Sequence, residues 1–178
     1  MMSIDENRDF IPINIALLTV SDSRRIEDDR SGQLLYDRVT SAGHSVMASQ
    51  ILPDEKNLIE NQLKRWIQDD EVDVIISTGG TGLTGRDVTV EAHHAVYEKE
   101  IIAFGTIFSV ISMKKIGTSA VQSRATAGVA GGTYLFALPG SPNACRDAWD
   151  EILKYQLDYR HRPCNFVEIL PRLDEHHR

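Results

Sequence analysis

Long apolar runs are missing from this 178-residue chain. None of its hydrophobic stretches approaches the roughly 20 residues that a bilayer-spanning helix requires. The opening residues, MMSIDENRDF, are too acidic and polar for a signal peptide. These absences predict a cytoplasmic protein without a membrane partner. Cysteine is scarce, and Cys145 and Cys164 lack the paired spacing of a zinc site or a disulfide framework, so both read as buried or idle thiols. Positive charge is also short: 19 Lys and Arg face 26 Asp and Glu, a formal net charge of -7. Phosphate backbones are held by an excess of basic side chains, so this balance excludes nucleic acid as the main partner. A small anionic ligand would need local help from backbone N–H groups, a few basic side chains or a metal. No internal repeat, low-complexity tract or linker is present.

What is there reads as one ordinary globular domain, 42% hydrophobic and 25% charged. NIALLTV, Asn14 to Val20, is a short apolar run that empties into the polar cluster SDSRR, as a strand does. Ser31 and Gly32 open a segment with Leu35, Val39 and Ala42 at helical spacing, and Gly43 ends it. SVMASQIL is the next strand. After Pro53 and Asp54, the positions of Ile59, Leu63, Trp66 and Ile67 predict an amphipathic helix, and VDVIIS follows as a continuous apolar strand. Helical segments are expected near Val88 to Lys99 and Gly105 to Lys114. A strand is expected at TYLFA, and a last helix carries Cys145, Trp149, Ile152 and Leu153 on one face. This alternation predicts an α/β fold, a three-layer α/β/α sandwich with a mostly parallel central sheet. The domain spans 13–170, with tails at 1–12 and 171–178, the latter including the solvated DEHHR. Ligands in such folds sit beyond the carboxyl ends of the strands, where SDSRRIEDDRSG, STGGTGLTGRD and LPGSPN should converge.

The glycine loop resembles two familiar motifs and satisfies neither. Gly80, Gly82 and Gly85 fit G-x-G-x-x-G, but the loop follows the third strand and no acid ends the next apolar stretch, so a dinucleotide-dependent oxidoreductase is set aside. Gly80 and Gly85 have the separation of a Walker A loop, yet Arg86 and Asp87 replace its lysine and its magnesium-binding hydroxyl. What survives is a turn whose backbone N–H groups can crowd an anion, followed by a helix start at Thr89. Asp87 and Glu91 are expected one helical turn apart, and Asp54 lies on a neighbouring loop. Carboxylates beside a phosphate site repel the ligand unless Mg²⁺ sits between. Helix capping is the plain alternative for Asp87. Ser21 and Asp22 read equally well as site residues or as an ordinary polar loop. His93 and His94, adjacent on a helix, point apart and are given no metal role.

The segments TVSDSR, DDRSG, LPDE, STGGTGLTGRDVTVEA, IGTSAVQSRATAGVA and LPGSPNACRDAW, in this order along nearly the whole chain, resemble the MoaB/MogA family of molybdenum cofactor biosynthesis proteins, which is similar to the G domain of gephyrin. IGTSAVQSRATAGVA and RPCNF are closer to the MoaB branch. The resemblance implies trimers or pairs of trimers; because the motif loops occupy one edge, FGTIFSVISMKKIG and other apolar surface are free to pack against neighbouring copies. It implies magnesium-dependent transfer of AMP from ATP to molybdopterin, with release of pyrophosphate, and a downstream molybdate-inserting protein as partner. Asp54 and Asp87 then hold the metal and Arg86 offsets charge on the pyrophosphate. Gly79, Gly80, Thr81 and Gly82 cradle the nucleotide phosphates. Ser31 and Gly32 hold the pterin phosphate, aided by Gly140 and Ser141, the latter also a helix cap. Val90 stands where the family usually has proline, which should loosen the first helical turn slightly. A non-catalytic carrier of molybdopterin or nucleotide would use the same pocket.

Overall fold

A computed structural model describes residues 3–175. Met1, Met2 and the last three residues of the expected DEHHR tail lie outside the described residues. The chain begins with a two-residue strand, β1 (Ser3–Ile4), and reaches the main sheet at β2 (Asn14–Val20). Helix α1 (Arg30–Ser41) buries Leu35 and Val39, and Gly43 stops it with a φ of 91° that favours glycine. Strand β3 (Ser45–Leu52), helix α2 (Lys56–Ile67) and strand β4 (Val74–Thr78) follow as the hydrophobic periodicity predicts.

The helix expected over Val88 to Lys99 is shorter. Helix α3 (Thr89–His94) has six residues, and β5 (Lys99–Glu100) joins the sheet. Sheet pairing takes the backbone away from the helix: Glu98 N donates to Val129 O at 2.9 Å, and the Tyr97 ring lies over Gly128, where any Cβ would strike it. Helix α4 (Ile102–Ile116) extends the expected Gly105 to Lys114 at both ends. The small-residue stretch after it becomes β6 (Thr126–Ala130), joined to β7 (Thr133–Leu138) by Gly131 and Gly132. Their φ values of 54° and 83° are those of tight hairpin turns. Helix α5 (Pro142–Ala148) runs through a π-helical turn, Trp149–Leu153, into α6 (Lys154–Gln156). Strand β8 (His161–Arg162) pairs antiparallel with β1, and α7 (Phe166–Ile169) leads into a short 3-10 turn, Leu170–Arg172.

The six-stranded sheet has the order β3-β2-β4-β7-β6-β5. The first four strands are parallel, and β6 and β5 are antiparallel additions at one edge. Alternate residues feed two cores. Ile15, Leu17, Val74, Ile76 and Phe136 pack with α1, α4 and α5, whereas Ala16, Leu18, Ile75 and Leu135 pack with α2 and α3. The result is the three-layer α/β/α arrangement with a mostly parallel sheet.

Candidate functional site

From β2 the chain leaves through α1 to one face of the sheet, and from β3 it returns to β4 through α2 on the other. Between β2 and β4 the connections therefore diverge, which opens a crevice beyond their carboxyl ends. The loops after β2, β3, β4 and β7 meet there. Gly79 makes the approach possible: its φ is 97°, and a Cβ would collide with the Val20 carbonyl oxygen. A Cβ on Gly140 would lie only 3.1 Å from the Gly79 Cα, so the LPGSP turn also abuts the glycine loop.

Asp22 and Asp54 cross-link two loops, each backbone N–H donating to the other's carboxylate at 3.1 and 3.0 Å. Arg86 donates to Asp22 Oδ2 through Nε at 3.0 Å and Nη2 at 2.5 Å. This pairing pulls the Asp22 carboxyl below its ordinary range and raises Arg86. Asp54 moves the other way: burial, then repulsion from Asp22 and Asp87, raises its carboxyl. The acids singled out at 54 and 87 thus share one electrostatic neighbourhood, and Asp22 belongs with them.

Asp87 lies ahead of α3, in the turn, and not one helical turn from Glu91. It does not cap that helix, whose N-cap position is Val88 without a side-chain bond. Its Oδ2 accepts from the Thr84 hydroxyl at 2.7 Å and the Thr84 N–H at 2.8 Å, which lowers its carboxyl. Glu91 is bound instead by Arg124, and that guanidinium lowers it. Arg124 was invisible as a site residue. Its Nε also donates to the Thr81 and Gly82 carbonyls at 3.2 and 2.8 Å, bracing the glycine loop from outside.

At the start of α1, Ser31 is fully buried and donates to Gly140 O at 2.8 Å. The Gly32 N–H donates to Asp29 Oδ1 at 2.9 Å, so this helix start already holds a carboxylate of its own. Asp29 is tied in turn to Thr19 at 2.5 Å. Arg24 donates to Gly140 O at 2.8 Å and supplies the cation of this wall. Ser141 caps α5, accepting from Ala144 N at 3.2 Å. The D-x-x-G spacing of Asp29 and Gly32 is a legible cap signal; nothing local marks Arg24 or Arg124. Beneath the LPGSP turn Cys145 is buried, which pushes its thiol up to about 11.

An open α/β sheet with four loops converging at its switch point, lined by glycine backbone, carboxylates and two arginines, defines a small-molecule-binding domain of the doubly wound class. The family model described as a probable molybdopterin binding domain matches residues 16–159. The chain belongs to this family of molybdenum cofactor biosynthesis proteins. It is 49% identical over 158 residues to molybdenum cofactor biosynthesis protein B of Escherichia coli K12, covering 89% of this chain and 93% of that protein. It is 43% identical over 143 residues to a probable molybdopterin adenylyltransferase of Methanocaldococcus jannaschii, covering 76% and 85%. A crystal structure of a molybdenum cofactor biosynthesis protein B superposes with a TM-score of 0.85 at 36% identity, over 94% of this chain and 99% of that one.

Proposed function

We propose that this protein acts in molybdenum cofactor biosynthesis by transferring AMP from ATP to molybdopterin, with Mg²⁺ and release of pyrophosphate. The observation that carries the reading is the meeting of Asp22, Asp54 and Asp87 with Arg86 beside the glycine turn at the sheet's switch point. Three carboxylates would repel a phosphorylated substrate unless a cation lay among them. The donors fit magnesium: they are oxygen ligands, and Asp54, raised by burial and by its acidic neighbours, has no basic side chain paired with it among the described residues. Among the described residues no three His, Cys, Asp or Glu side chains form a complete cage. That suits an ion that takes one or two carboxylates and completes its shell with water and phosphate. When bound, it would neutralise phosphate charge during nucleotidyl transfer.

The chain's own groups mainly position the substrates. Asp54 and Asp87 hold the cation. Gly79, Gly80, Thr81 and Gly82 let nucleotide phosphates approach the backbone, and Arg86, released from Asp22, pairs with the outer phosphates through its planar fork. Gly140 and Ser141, with Ser31 and Gly32 behind them, shape the wall for the pterin phosphate. Because the Ser31 hydroxyl and the Gly32 amide are already bonded, Arg24 provides the charge there. The name of the M. jannaschii relative supports this activity.

The test is pyrophosphate release on mixing protein, ATP, Mg²⁺ and molybdopterin. Asp87→Asn should reduce it by on the order of a hundredfold or more, since a lost anionic ligand removes several kcal/mol of charge stabilisation. Binding of molybdopterin without pyrophosphate release would identify a carrier instead. Turnover by Asp87→Asn at the wild-type rate would remove Asp87 from the mechanism.

A further inference from the structure

Thr89, the first residue of α3, is fully buried, and its hydroxyl has no hydrogen-bond partner among the described residues. Buried hydroxyls are almost always satisfied, so an orphan calls for an explanation. Its backbone is anchored at the site, the Thr89 N–H donating to Gly80 O at 2.9 Å. Its hydroxyl borders the space over Gly80: a Cβ built on that glycine would run into Thr89 Oγ1 and lie 2.6 Å from Asp54 Oδ1. Two oxygens, one at the start of α3 and one from the loop after β3, therefore lie together over Gly80, where no side chain fits.

The second oxygen is also unspent. Asp54 Oδ2 accepts from Asp22 N, and Arg86 is turned to Asp22, so no basic side chain among the described residues pairs with Asp54. An anion at these two oxygens would meet a carboxylate; a cation would meet a carboxylate and a neutral hydroxyl. We propose that Thr89 Oγ1 and Asp54 Oδ1 are paired ligands for a hard divalent cation held over Gly80. Oxygen donors of this kind are those that such cations select. The inference rests on the magnesium reading above and adds Thr89 to it. Thr89 thus returns, two positions beyond Asp87, the hydroxyl that the sequence lacks where a Walker loop would carry it.

The experiment is a titration with Mn²⁺ alone, followed by loss of the free-ion electron paramagnetic resonance signal, on the full chain and two variants. Thr89→Val keeps the side chain's shape and removes the hydroxyl; its Mn²⁺ affinity should fall at least about tenfold, the usual scale for damage to a metal site. Thr89→Ser should stay within about threefold of wild type. The melting temperature of Thr89→Val should not fall, because no hydrogen bond is lost. Equal Mn²⁺ affinity in Thr89→Val and wild type, or no Mn²⁺ binding by wild type at millimolar concentration, would overturn the inference. Cation binding that depends on Thr89 in a protein that never releases pyrophosphate would sink the transferase reading alone.

Discussion

A single guanidinium sets the shape of the glycine loop. Arg124 gathers the carbonyl oxygens of Thr81 and Gly82 at 3.2 and 2.8 Å, reaches Asp87 O at 3.4 Å, and is itself anchored by Glu91. In a planar trans peptide the N–H points opposite to the C=O. Carbonyls drawn outward to Arg124 therefore turn the amides of Gly82, Leu83 and Val88 away from it. Removing that anchor should loosen the loop without unfolding the domain, because the pair is partly solvent-exposed and worth little to global stability. Arg124→Ala is expected to speed amide hydrogen exchange at residues 82–88 and to slow pyrophosphate release by about tenfold to a hundredfold. The melting temperature should change by no more than a few degrees. Unchanged exchange in the loop would show that the glycines hold its shape unaided.

Helix α3 carries a buried titratable group. His93 has no exposed surface; its Nε2 lies 2.8 Å from Ser77 Oγ and its Nδ1 3.1 Å from the Tyr97 hydroxyl. Burial lowers its pKa to about 3, well under the ordinary 6.5. The folded protein refuses a proton that the unfolded chain accepts below pH 6.5, so stability is lost as pH falls through the window between these values. From pH 7.5 to 5.5 this site alone should cost about 1.4 kcal/mol. Urea melts at both pH values check it: His93→Gln should show a shallower decline than wild type, whatever its absolute stability. Parallel declines would assign the pH dependence to other groups, such as buried His44, whose pKa burial also lowers.

At the same scale, legibility followed local pattern. Strands β2, β3 and β4 and helices α1 and α2 were readable because each buries a regular apolar set. Strand β6 was not, because Ala and Gly carry little strand signal, and contacts distant in sequence, such as Tyr97 against Gly128, leave no local mark. The same distant contacts shortened α3. In the site, Asp54 and Asp87 stood out as acids in loops at strand ends. Arg124 lies 42 residues from Gly82, and the orphan state of Thr89 exists only in three dimensions. Neither leaves a mark on neighbouring residues.

For the whole molecule, α4 poses the question of what covers it. Ile102 and Met113 are 71% and 63% exposed, and Ile107, Val110 and Ile116 are exposed beside them. This helix is apolar nearly all round, the pattern of one buried on both sides. We expect a trimer or a pair of trimers packed through this surface, since obligate interfaces resemble a core cut in two. Placing a charge there, as in Val110→Glu with Met113→Glu, should shift sedimentation toward the monomer. A wild-type monomer at micromolar concentration would refute the assembly.

The small clasp of β1 on β8 sets an order of events. Ser3 faces Arg162 and Ile4 faces His161, so two residues near one end of the chain find partners near the other. So few pairs return little against the entropy of closing so long a loop. The sheet must first bring the strand ends together, and the clasp can form only on that finished surface. We expect it to be completed late and to open early, so a spectroscopic label on β1 should lose its native signal before the main sheet unfolds; simultaneous loss would refute this order.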